Sequence, residues 1–133
     1  MAIHTALDMK SLHGHVEYVY TFGQPRVGNQ AFATFYESRI PNTFRVVNYA
    51  DMVPHVPPSA FTFKHGGHEM WYNPRGMKTY KTCVSEDPNC ANSIGSTSMS
   101  TDDHQLSYYM TLAVGTSFET KDLIRKESEY SSE

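Results

Sequence analysis

Three prolines, Pro54, Pro57 and Pro58, constrain this chain more than any other feature, because of what precedes them. From Phe44 the sequence runs Phe44-Arg45-Val46-Val47-Asn48-Tyr49-Ala50-Asp51. Phe44, Val46, Val47 and Tyr49 are β-branched or aromatic, the types that suit a buried pleated surface. A core strand therefore starts near Phe44. Proline has no N–H to give a sheet ladder, so the strand must stop near Asp51 and pass into a stiff loop. Asp51 then stands at the carboxyl end of a strand, where open α/β sheets gather their ligands and catalytic groups.

The segments before it supply the rest of an α/β unit. Ala2 to Leu12 reads as a helix with Ile3, Ala6, Leu7 and Met9 on its apolar stripe, and Gly14 ends it. Val16 to Phe22 reads as a fully buried strand. Gly23-Gln24-Pro25-Arg26-Val27-Gly28 is a turn-rich loop, Asn29 an N-cap, and Gln30 to Arg39 a helix that Pro41-Asn42 breaks. Strand, helix, strand with short connections implies a right-handed crossover and parallel pairing. Beyond Pro58 the pattern changes. Met70-Trp71-Tyr72 and Lys78 to Thr82, around the turn Asn73-Pro74-Arg75-Gly76, read as an antiparallel hairpin on the sheet edge. Asn92 to Thr101 is a Ser/Thr/Gly loop, Leu106 to Val114 a short final helix, and Glu119 to Glu133 a polar stretch. The expected organisation is one domain over residues 1–115 and a polar tail over 116–133, a frayed helix or disordered.

Composition bounds the partners. With 133 residues and 39% hydrophobic content the chain is globular, and a formal net charge of −3 argues against nucleic acid. No apolar run reaches the roughly 18 residues a membrane span needs, and the start of the chain lacks signal-peptide composition. Cys83 and Cys90 flank a polar loop turned by Asp87-Pro88-Asn89, which brings a disulfide within reach. Such a bridge would contribute about 2–3 kcal/mol in the entropic model. It would place maturation in an oxidising compartment, secreted or lumenal. Two free thiols are the other reading, and a zinc site lacks a second Cys/His pair.

For chemistry, the residue that an acid at Asp51 can orient is His104, in Thr101-Asp102-Asp103-His104-Gln105-Leu106-Ser107-Tyr108-Tyr109. The bland reading is that Asp51 caps a turn and His104 pairs locally with Asp103. The histidines of His65-Gly66-Gly67-His68-Glu69 and His13-Gly14-His15 lack metal-ligand spacing, and no cofactor is implied. Tyr18, Tyr20, Phe22, Trp71 and Tyr72 read as sheet core rather than a stacking platform.

Chain order favours the acid–base reading, since α/β-hydrolases run nucleophile, acid, histidine. The sequence resembles the class 3, fungal-type triacylglycerol lipases, an α/β-hydrolase family. Val19 to Asn29, with Gly23-Gln24-Pro25-Arg26, is similar to that family's strand and loop after the nucleophile helix. Phe44 to Pro58 resembles the segment that supplies the acid. His68 to Tyr72, with Cys83 and Glu86 to Ser93, resembles the next strand and cysteine loop. Asp103-His104 with Tyr108-Tyr109 resembles the histidine motif, one residue longer at Gln105. The resemblance covers about Ala2 to Tyr109.

By resemblance, Asp51 and His104 are catalytic, and Val53, Val56 and Pro57 line an acyl groove, with plain core packing as the alternative. The fold expected is a partial α/β-hydrolase, the C-terminal half of a mostly parallel sheet with an appended antiparallel hairpin. The family's serine lies in a Gly-x-Ser-x-Gly elbow, and no such motif occurs in these 133 residues; Gly115-Thr116-Ser117-Phe118-Glu119 lacks the second glycine. The expectation is that the serine belongs to a missing N-terminal part of the same domain, the substrate being a glycerolipid ester. The alternative is an inactive lipid-binding or interaction module of the same fold.

Overall fold

The computed structural model of the protein describes residues 1–73, 79–105 and 108. The turn expected beyond Asn73, Lys78, the final helix apart from Tyr108, and the tail over 116–133 lie outside the described residues. The elements are α1 (Ala2–His13), β1 (Val19–Phe22), β2 (Gly28–Asn29), α2 (Gln30–Arg39), β3 (Thr43–Asn48), β4 (Phe63–Lys64), β5 (His68–Tyr72) and β6 (Tyr80–Cys83). Four strands form one sheet in the order β1-β3-β5-β6, the first three parallel and β6 antiparallel to β5. β2 and β4 make a separate two-stranded antiparallel sheet. These strands are two residues each, too short for any periodic signal to reveal them in advance.

α1 ends where Gly14 adopts φ 73° and returns its N–H to Lys10 O, a glycine C-terminus. Ile3 and Ala6 are its buried face; Met9, expected on the stripe, is exposed. α2 begins as expected, with the Asn29 side chain accepting the Phe32 N–H at 3.0 Å. β1 is shorter than the expected Val16–Phe22 for a physical reason. Its partner β3 starts at Thr43 because Pro41 has no N–H to contribute, so pairing begins at Val19↔Thr43 and, among the described residues, Val16 to Tyr18 lie outside the ladder. Nor is β1 fully buried: Val19 and Thr21 point inward, while Phe22 is 45% exposed.

β3 separates two packed faces. Val46, Met70, Tyr72 and Tyr108 cluster on one, joined by Tyr20, Phe44 and Tyr80. Val47, Trp71, the two cysteines and Ala91 cluster on the other. The helices bury Ile3, Ala6, Val19, Tyr36 and Ile40 together in a third cluster, where the Tyr36 hydroxyl meets Thr43 Oγ1 at 2.8 Å. The register also sets Arg45 opposite Glu69 at the centre of the sheet. Both are buried, with Nη2 3.4 Å from Oε2, and burial lowers the Arg45 pKa against the pull of Glu69. Among the described residues no helix is long and apolar enough to cross a membrane.

Candidate active site

β3 ends at Asn48, and Tyr49 takes φ 35° as the chain turns. Asp51 follows, fully buried. A carboxylate out of water must be hydrogen-bonded, and this one is. Oδ1 accepts the Val53 N–H at 2.8 Å. Oδ2 accepts the Tyr108 hydroxyl at 2.9 Å and lies 3.0 Å from His104 Nδ1. The Tyr108 oxygen in turn accepts the Asn48 N–H at 2.8 Å, and of the two acceptors in reach of its single proton, Asp51 Oδ2 at 2.9 Å is nearer than Val46 O at 3.4 Å. Burial and the Asp51 charge push the Tyr108 pKa upward, which keeps that proton in place.

His104 arrives on a segment stitched to the acid loop. Ser100 N–H donates to Ala50 O at 2.8 Å, Met52 N–H to Ser100 O at 3.3 Å, and an isolated parallel bridge joins Asp51 to Ser100. Asp103, beside the histidine, is itself buried, and its carbonyl accepts Asn48 Nδ2 at 3.0 Å. The imidazole side chain is 35% exposed. An ionised carboxylate only accepts, so Nδ1 carries the proton and Nε2 presents a lone pair. That is the tautomer of a general base.

The floor under the pair is Gly23, at the end of β1. Its φ is 57°, and a Cβ there would stand 2.6 Å from His104 Nδ1 and 2.8 Å from Asp51 Oδ2. Real atoms do not approach so closely, so the pair closes only over a residue without a side chain. Of the expected groove residues, Val53 and Pro57 are half-buried and Val56 is 42% exposed; none is packed away in the core. All three follow Asp51 in a loop whose Val56–Pro57 peptide is cis.

A second polar cluster lies behind this loop. The Arg26 side chain forms a fork with Glu86, Nε to Oε1 and Nη2 to Oε2, both 2.9 Å. Its Nη1 donates to His55 O at 2.6 Å and to Pro57 O at 3.0 Å. Burial raises the Glu86 pKa, but the Arg26 and His65 N–H bonds outweigh it and hold the carboxyl at about 2. His65 donates from Nε2 to Pro54 O at 2.8 Å, and burial with the Arg45 charge lowers its pKa to about 3. In its neutral form it braces the Pro54 carbonyl. Burial likewise lowers the His55 pKa.

Cys83 and Cys90 are joined by a disulfide. Glu69 lies near both sulfurs, but disulfide sulfur is not thiolate and Glu69 is engaged by Arg45 and the Ala91 N–H, so the three do not make a metal site. The parts that sequence reasoning did not assign are Gly23, Arg26, Glu86 and Tyr108. The only advance signal was that each sits in a segment already singled out for other reasons.

The chain is similar to known proteins in sequence and fold. Residues 1–61 match the family model described as lipase (class 3). The chain is 46% identical over 79 residues to a lipase of Rhizomucor miehei, covering 58% of this chain and 22% of that protein. It is 37% identical over 103 residues to a secreted mono- and diacylglycerol lipase of Malassezia globosa, covering 74% of this chain and 31% of that protein. A solved triacylglycerol lipase whose catalytic centre is a serine protease triad superposes with TM-score 0.70 at 39% identity, over 77% of this chain and 40% of that one. A fungal lipase bound to an inhibitor gives TM-score 0.72 at 38% identity, over 81% and 43%. The fold is thus part of an α/β-hydrolase, and the chain spans 22% and 31% of the length of those two relatives.

Proposed function

Because this chain belongs, over the part it spans, to the class 3 lipase family, we propose that Asp51 and His104 are the acid and base of an ester hydrolase acting on glycerolipids. The observation that carries this reading is the 3.0 Å contact of His104 Nδ1 with a buried, fully bonded Asp51 carboxylate. His104 Nε2 removes the proton of a serine hydroxyl as that oxygen attacks the ester carbonyl, then returns it to the leaving alcohol. Asp51 fixes the tautomer and stabilises the imidazolium between the two transfers. The serine lies outside these 133 residues, together with an oxyanion hole that stabilises the tetrahedral intermediate. Val53, Val56 and Pro57, beside the acid, line the acyl groove. The disulfide and the secreted relative support a secreted or lumenal setting.

The second reading is a lipid-binding module without catalysis. Hydrolysis of a chromogenic short-chain ester separates them. A polypeptide joining these residues to a class 3 nucleophile segment should turn over, and His104→Ala or Asp51→Asn should lower kcat by about 10⁴-fold. These 133 residues alone should be no faster than their own His104→Ala variant. Lipid-vesicle binding with no His104-dependent turnover in the joined protein would establish the module instead. His104-dependent turnover by the 133 residues alone would place an unrecognised nucleophile within them.

A further inference from the structure

Arg26 is a buried cation whose hydrogen bonds go to the loop after Asp51, to Glu86 and, at 3.5 Å, to Asn92 Oδ1. Its backbone N–H donates to Val56 O at 2.9 Å, and its Nη1 to His55 O and Pro57 O. Three hydrogen bonds from one residue thus span the far end of the loop that Asp51 begins. The near end is tied by Val53 N–H to Asp51 Oδ1, and the middle by Val56 N–H to Val53 O at 3.1 Å. Residues 51–57 therefore move as one hydrogen-bonded unit whose outer support is the Arg26 guanidinium.

That guanidinium is oriented by Glu86, which uses both oxygens on it and also accepts the His65 N–H at 2.9 Å and Asn92 Nδ2 at 3.2 Å. Glu86 sits inside the loop closed by Cys83 and Cys90, at φ 57°, a left-handed conformation that a glutamate holds only where its surroundings demand it. The cross-link limits where that backbone can go. A charged fork is directional, so a displaced Glu86 no longer aims Arg26 at the His55 and Pro57 carbonyls.

We propose that Arg26 and Glu86 are a positioning pair for the loop that carries the acid and the groove residues, and that the Cys83–Cys90 disulfide acts on the site by holding Glu86. The inference rests on reading Asp51 as the acid. A side chain outside the reacting groups thereby sets the alignment of Asp51 with His104, and the cross-link reaches the site through one carboxylate.

The test is residue-by-residue amide hydrogen exchange on the full chain, with the downfield imidazole proton of His104 as a second readout. In Glu86→Gln and in Arg26→Lys, the Val53 and Val56 amides should exchange about tenfold faster or more, while Val47 and Trp71 keep their rates. The His104 proton signal should shift or broaden in both. Dithiothreitol should act alike on the wild type: it gives two electrons and two protons, the disulfide becomes two thiols, and the reagent closes into its own cyclic disulfide. In Glu86→Gln the same reduction should change Val53 and Val56 by no more than about twofold, because the link has already been removed. Unchanged rates at Val53 and Val56 would overturn the proposal. So would uniform acceleration across the sheet, or a reduction effect of full size in Glu86→Gln. Should either variant fail to fold, the other variant and the reduced wild type decide. These readouts need no turnover, so a failed hydrolysis assay would count against the function and leave the clamp to stand or fall by exchange.

Discussion

The helical pack and the charged pack are built on the same sheet by opposite means. Around Ile3, Ala6, Val19, Tyr36 and Ile40, stability comes from apolar area removed from water, which is additive and tolerant of partner identity. Around Arg26, Arg45, Glu69 and Glu86, with the neutral His65 beside them, buried and half-buried charges are stable only while each has its partner. The first region grades its response to damage; the second does not. Placing the all-or-none region behind the Asp51 loop trades stability for a fixed loop position.

The largest break should come from Glu69→Ala, which leaves Arg45 buried without its counter-ion. We expect a loss of about 3–5 kcal/mol in denaturant unfolding. A loss under 1 kcal/mol would mean that Arg45 finds water or another acceptor, and the contrast between the regions would shrink.

Acid should come next. His65 prefers its neutral form when folded, its pKa falling from 6.5 to about 3, and Glu86 prefers its charged form, falling from 4.5 to about 2. In both cases the unfolded chain takes up a proton before the folded one does. Stability is therefore fully present above pH 6.5, declines first through His65, then through Glu86 as well below 4.5, and levels off near 2. The total should be on the order of a few kcal/mol. Replacing His65 by Gln and Glu86 by Gln should flatten the profile of unfolding free energy against pH; an unaltered slope would show that these groups titrate alike in both states.

Two glycines sharpen the comparison at the site itself. Gly14 and Gly23 have similar left-handed φ, 73° and 57°, but nothing lies within 4 Å of a Cβ at Gly14, whereas one at Gly23 strikes both His104 and Asp51. Gly14→Ala should cost about 1–2 kcal/mol, the backbone term alone. Gly23→Ala should cost more and should also abolish the His104 imidazole proton signal. Equal costs with the signal intact would mean that the pair can shift aside.

The smallest effect belongs to the helical pack. Ile40→Val should cost about 0.5–1.5 kcal/mol, and its melting shift should be independent of pH. A pH-dependent cost there would show that the two packs are coupled.

What was legible in the sequence divides along the same line. The start of α2 at Gln30 and its Asn29 cap were readable, with its end near Arg39, because a cap and a helical repeat are local signals. The parallel order of β1 and β3 followed from a short crossover. The partners of Asp51 and Arg26 were a different matter. Tyr108 lies 57 residues from Asp51, and Glu86 lies 60 from Arg26. Nothing in a residue's own neighbourhood encodes a polar contact at that separation; only chain order and resemblance singled out His104. The true start of β1 at Val19 was hidden for a related reason, since it is set by where Pro41 forbids pairing on another strand.

The Ser100 stitch has a further consequence, in the order of events by which the protein assembles. α2 and β3 meet β1 through short connections, whereas His104 must cross 53 residues of intervening chain to reach Asp51. In the unfolded chain a loop of that length costs ~3–4 kcal/mol of entropy to close beyond a constant, a cost that falls once β5 and β6 have paired beside β3; among the described residues two backbone hydrogen bonds and the side-chain contacts of the site are what then close it. The sheet should therefore be formed while the site is still open. Mutations at Ser100 or Tyr108 should leave the folding rate nearly untouched and speed unfolding, with φ-values near 0, whereas Val46 and Val47 should lie well above them.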